Sequence, residues 1–195
     1  MRKEFNTTGS CNPEWHYMVD TSAKLAKIED LIERGKYFTI NRARQFGKTT
    51  TLDALYRNLS DKYNVITISF ESEILEYKSL EVFLSAFDYK ISKAAGMTSE
   101  QSDFWLNEYK CTSYDEMSSK ITAYCKLQSK PVLLLIDEVD KSTSVQMFLG
   151  LIGMLRNKYL ERTKHGLNST FHSVILAGVY DIKNLKLKIR PESEQ

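Results

Sequence analysis

Gly47, Lys48 and Thr49 stand in a row, and that triplet carries the first chemistry the sequence offers. A glycine lets the main chain approach an anion closely, because no side chain stands in the way. The lysine adds a flexible positive charge for β- and γ-phosphates, and the threonine hydroxyl is a hard oxygen suited to magnesium. The full phosphate-loop pattern is G-x-x-x-x-G-K-[ST]. Here the eight residues are Arg42-Ala43-Arg44-Gln45-Phe46-Gly47-Lys48-Thr49, so the second half fits and Arg42 takes the place of the first glycine. That first glycine mainly serves the entry turn, and Arg42 is compatible with it if its backbone dihedrals are ordinary. The candidate phosphate-binding residues are Arg44, Gln45, Phe46, Gly47, Lys48, Thr49 and Thr50.

A second group lies far along the chain. Val132-Leu133-Leu134-Leu135-Ile136 is an unbroken apolar run ending in Asp137-Glu138-Val139-Asp140. Such a run suits a strand buried on both faces of a parallel sheet. Ligands of these sheets bind outside the carboxyl ends of the strands. Asp137 is therefore the candidate magnesium residue together with Thr49, and Glu138 the candidate catalytic base that orients and deprotonates water. Phosphoryl transfer needs positioning and charge neutralisation more than covalent chemistry, so a cation, a lysine and a base suffice. Asp140 could support the water or cap the next helix, and capping is preferred.

The elements that must position these groups are legible in the spacing. Residues 1–19 form a polar, irregular lead-in, with Tyr17-Met18-Val19 as a short extended piece, and residues 20–195 form one domain. Asp20 is placed to cap a helix carrying Leu25, Ile28, Leu31 and Ile32, which Gly35 closes. Tyr37-Phe38-Thr39-Ile40 is a strand leading into the phosphate loop, and Leu52, Leu55, Tyr56 and Leu59 give the helix after it. Residues 64–70 make a second strand. Three helices follow, marked by Leu75, Leu80, Phe83, Leu84 and Phe87, then Phe104, Trp105, Leu106 and Tyr109, then Ile121, Tyr124 and Leu127, the last stopped by Pro131. After the acidic segment, Met147, Phe148, Leu151, Ile152, Leu155 and Tyr159 mark an apolar helix, and residues 173–178 a fourth strand. Strands alternating with helices predict an α/β fold, a mostly parallel sheet with helices on both faces.

Bulk properties narrow the function classes. With 27 basic and 25 acidic residues the net charge is +2, which lacks the clear basic excess of many nucleic-acid binders. Cys11, Cys111 and Cys125 lack C-x-x-C spacing, and His16, His165 and His172 lack metal-ligand spacing, so the cysteines are expected to be buried or idle thiols in a reducing cytoplasm. No apolar stretch approaches the ~20 residues of a membrane span.

The chain resembles the AAA-ATPase-like family of bacterial P-loop proteins, in the AAA-like and STAND-related group. The resemblance rests on Phe5-Asn6-Thr7-Thr8-Gly9, Tyr17-Met18-Val19-Asp20, residues 38–50 through the phosphate loop, Leu135-Ile136-Asp137-Glu138-Val139-Asp140, and Ile175-Leu176-Ala177-Gly178-Val179-Tyr180-Asp181. It implies ATP as substrate, magnesium as cofactor, Glu138 as the catalytic glutamate and a strand lying between the two motif strands. It also implies a polar sensor after the fourth strand, where Tyr180 and Asp181 are candidates beside a plain structural turn. An arginine-containing loop before Gly47 is typical of the family. Relatives often carry a further C-terminal region, so a truncated C-terminal end without the helical lid is expected, with a missing domain or a homo-oligomer as partner.

Three functions remain open at this level: a magnesium-dependent ATPase, a nucleotide-operated switch with little turnover, and either of these acting with nucleic acid. For the last, Lys183, Lys186, Lys188 and Arg190 form a basic stretch. Leu185, Leu187 and Ile189 alternate with the last three, which reads first as an edge strand with a solvated basic face.

Overall fold

The computed structural model describes residues 3–5, 14–17, 19–41, 47–70, 77–107, 110–142, 144–165 and 170–179. Helix α1 spans Ser22–Glu33, strand β1 Tyr37–Asn41, helix α2 Lys48–Leu59 and strand β2 Asn64–Ser69. Helices α3 (Leu80–Ala94), α4 (Ser99–Asn107) and α5 (Tyr114–Leu127) follow. Strand β3 is Val132–Asp137, helix α6 Val145–His165 and strand β4 Ser173–Gly178, with a short 3-10 turn at Val139–Lys141 between β3 and α6.

The four strands form one parallel sheet in the order β1-β4-β3-β2. Strand β4 thus lies between the strand that leads into the phosphate loop and the strand that ends in Asp137, the arrangement the resemblance implies. The α/β expectation holds.

Side chains alternate across a strand, so consecutive residues of β3 and β4 feed opposite faces. Leu133, Leu135, Ile175 and Ala177 pack with Ile28 and Ile32 of α1 and Leu52, Leu55 and Leu59 of α2. Leu134, Ile136, Val174 and Leu176 pack with Phe83 and Phe87 of α3, Met117 and Ile121 of α5, and Phe148 and Leu151 of α6. Both β3 and β4 are buried along their whole length, which explains their unbroken apolar sequence.

Gly35 ends α1 with φ +61°, and its amide donates to the Ile32 carbonyl at 2.7 Å. Three expectations shift. Asp20 lies one residue before the cap position at Thr21, yet Asp20 Oδ1 still accepts the Ser22 amide at 2.9 Å. Helix α5 ends at Leu127, four residues before Pro131, with Gln128 already extended. Leu127 and Tyr56 fall on the helical rhythm but are exposed, 84% and 48%, because each lies at the border of its apolar stripe. Met18, Leu75 and Tyr109 lie outside the described residues, as do the side chains of Phe104 and Leu106.

Two of the buried cations tie elements together, one helix to helix and one helix to the strand entries. Lys120 of α5 pairs with Asp88 of α3 and lies 4.5 Å above the Trp105 ring. Arg162 of α6 donates to the carbonyls of Gly35 and of His172, the latter at 2.7 Å, with its guanidinium 4.6 Å from the Tyr159 ring centre. Cys111 and Cys125 are buried free thiols, as expected; Cys11 lies outside the described residues.

Candidate nucleotide site at the strand ends

Strand β1 ends at Asn41, and α2 begins at Lys48. Arg42, Ala43, Arg44, Gln45 and Phe46 lie outside the described residues. Gly47 is the N-cap of α2 in the left-handed region, φ 68° and ψ 31°. A Cβ there would meet no described atom within 4 Å, so glycine is required by the backbone angle rather than by crowding. The first turn is then locked: the Thr51 amide and hydroxyl both donate to the Gly47 carbonyl, at 2.9 and 2.7 Å. Lys24 of α1 donates to the Thr51 hydroxyl at 2.8 Å, tying α1 to the base of this turn. That contact spans 27 residues and has no signature in the sequence.

Lys48, at the start of α2, is only 6% exposed. The N-terminus of a helix presents amide hydrogens and a partial positive charge, a standing site for an anion. Thr49 donates from Oγ1 to Asp137 Oδ2 at 2.8 Å. This bond joins two residues 88 apart and brings the phosphate-loop helix to the end of β3. Asp137 is itself 6% exposed, and its Oδ1 accepts the Glu138 amide at 2.8 Å. Thr50 follows on the same helical turn and is half-buried.

The residue after Asp137 leaves the strand abruptly. Glu138 has φ 52°, the one described non-glycine residue with positive φ. Strain of this kind costs about 1–3 kcal/mol and persists where surrounding contacts over-determine it. Here the Lys141 amide donates to the Glu138 carbonyl at 2.9 Å, and Lys141 Nζ lies 3.7 Å from Glu138 Oε2. Among the described residues that buried Oε2 makes no hydrogen bond. Asp140 does not cap α6. Its Oδ1 accepts the Val179 amide at 2.8 Å, just beyond β4, because the 3-10 turn carries it across the top of the sheet.

The donor set fits magnesium. An ion at a nucleotide is held by one or two protein oxygens plus phosphates and water, not by an all-protein cage. A threonine hydroxyl and a carboxylate 2.8 Å apart at a helix N-terminus are such a pair. Tyr180 and Asp181, the sensor candidates, and the basic stretch from Lys183 to Arg190 lie outside the described residues.

The fold is an α/β domain with a parallel sheet, and a family match supports a nucleotide-binding domain of the phosphate-loop type. The model of the AAA-like domain family matches residues 9–184, and the chain belongs to that family. No curated protein matches the sequence. Among solved structures, a chain in the structure of Drosophila ORC bound to DNA is 15% identical with a TM-score of 0.48, covering 86% of this chain and 79% of that one. A chain in the structure of Drosophila ORC bound to poly(dA/dT) DNA and Cdc6 is 10% identical with a TM-score of 0.45, covering 88% of this chain. This chain spans 26% of the length of that second one. Among the described residues no helix is long and apolar enough to cross a membrane.

Proposed function

We propose that this domain binds ATP with magnesium and hydrolyses its β–γ bond. The observation that carries the reading is the Thr49–Asp137 hydrogen bond, which joins the phosphate-loop helix to the acidic end of β3. Lys48 and the first-turn amides of α2 bind the β- and γ-phosphates. Arg44, Gln45, Phe46 and Thr50 are the further phosphate-binding residues of this reading. Thr49 and Asp137 would hold the magnesium ion, which supplies neutralising charge across the phosphate oxygens. Glu138 orients water and accepts its proton. The reading places the domain in the cytoplasm, where ATP and magnesium are abundant.

A second reading is a nucleotide-operated switch with little turnover of its own. What favours it is the Glu138 carboxylate, whose Oε2 faces Lys141 and, among the described residues, makes no hydrogen bond. A partner arginine can raise hydrolysis ~10³–10⁵-fold in related systems, so such a domain would turn over only when assembled, as a homo-oligomer or with a further domain.

Single-turnover hydrolysis of magnesium ATP at high protein concentration, with calorimetric binding of a non-hydrolysable analogue, separates the readings. Lys48→Ala should abolish binding, and Glu138→Gln should bind normally and lose turnover. Parental binding by Lys48→Ala would refute the site. Parental turnover by Glu138→Gln would refute the role of Glu138.

A further inference from the structure

We propose that Asp140 is a positioning residue that couples the exit of β4 to the Glu138 carboxylate through the Val139–Lys141 turn. The inference rests on the reading of Glu138 as the base. Three contacts meet in this turn. Asp140 Oδ1 accepts the Val179 amide at 2.8 Å, so the turn is fixed to the first residue beyond β4. Lys141 returns to Glu138 twice, by its amide to the carbonyl at 2.9 Å and by its ammonium to Oε2 at 3.7 Å. Glu138 itself holds a left-handed backbone, φ 52°, which only such bracing maintains.

Gly178 makes the approach close. A Cβ there would lie 2.8 Å from Asp140 Oδ1 and 2.8 Å from Val139 Cγ2. The last residue of β4 is therefore shaped to admit the turn, and any side chain at this position pushes the turn away. A displacement of Val179 reaches Asp140 directly, and Glu138 through the adjoining Lys141.

The coupling has a selective signature. Asparagine keeps a carbonyl oxygen for the Val179 amide, whereas alanine does not. Asp140→Ala should cut the single-turnover rate at least tenfold while the affinity for the ATP analogue stays within twofold. Asp140→Asn should restore the rate to within threefold of the parent. Gly178→Ala, with Asp140 intact, should reproduce the Asp140→Ala defect. Amide hydrogen exchange in nucleotide-free protein gives a readout independent of turnover. Peptides covering residues 137–141 and 176–179 should both exchange at least tenfold faster in Asp140→Ala and Gly178→Ala, and neither in Asp140→Asn. Faster exchange confined to residues 176–179, or an Asp140→Ala rate equal to the parent's, would overturn the coupling. If Glu138→Gln also turned over normally, the reading of the base would fail first. If Glu138→Gln is inactive and Asp140→Ala is not, the coupling alone fails.

Discussion

Replacing Thr49 by valine removes one hydroxyl and keeps the shape of the side chain, and two separable losses follow. In the nucleotide-free protein, Asp137 Oδ2 loses the donor now 2.8 Å away, in a residue 6% exposed. A hydrogen bond to a charged group contributes about 1.5–3 kcal/mol, and a buried acceptor left without its donor pays desolvation of similar size. Taking about 2 kcal/mol, the melting temperature of a domain this large falls by roughly 4–8 °C. The second loss appears with ligand. Magnesium ATP at 100 times its Kd stabilises the parent by about 2.7 kcal/mol; a hundredfold weaker affinity leaves about 0.4 kcal/mol at the same concentration. Calorimetric melts of parent, Thr49→Val and Thr49→Ser, each with and without magnesium ATP, measure both losses. Thr49→Ser should retain most of each, because it retains the hydroxyl. A Thr49→Val protein that melts like the parent would refute the structural weight given to the Thr49–Asp137 bond. One that keeps the full ligand-dependent gain would remove Thr49 from the metal.

Gly47→Ala should cost about 1–2 kcal/mol by urea denaturation, the price of a left-handed backbone alone, since its Cβ meets no described atom. Gly35→Ala should cost more, because its φ is +61° and its Cβ would also lie 2.8 Å from Arg162 Nη2; equal costs would refute the packing role of Arg162. Phe148→Ala, at a fully buried ring, should lose about 3–5 kcal/mol in the same assay. Burial pushes the Asp88 carboxyl up to about 6, with the Lys120 ammonium pulling it back down. Its contribution to stability is therefore fully present below about pH 4 and is lost as the pH rises through about 6. Carbon NMR should find this carboxyl titrating near pH 6 in the parent and higher in Lys120→Met; a lower value would reverse the assigned role of Lys120.

The strands, and the two segments that the fold brings together as the candidate site, were legible because each leaves a local trace. Full burial on both faces forces the apolar run of β3, and a left-handed entry to α2 demands Gly47. The helix borders were less so: an i, i+3, i+4 rhythm extends to Tyr56 and Leu127 although the packed stripe is narrower. Apart from the Thr49–Asp137 pair, the long-range polar contacts leave no trace. Nothing in the residues around Asp140 announces that its partner is an amide 39 positions on, and a helix cap is the ordinary local use of an aspartate there. Lys24, Lys120 and Arg162 carry no local mark of the hydroxyl, the carboxylate and the two carbonyls that the fold supplies as their partners.

The Arg162 contacts have a mechanical consequence. Helix α6 starts just after the Glu138 turn and runs through Val145–His165, about 30 Å at 1.5 Å per residue. Its far end is bolted by one guanidinium to the chain entering β1 and the chain entering β4. With its foot held at two points, α6 cannot slide along the sheet; it can only tilt. Any shift at the Glu138 end therefore becomes a rotation about Arg162, largest where α6 meets the turn and vanishing at the opposite rim of the sheet.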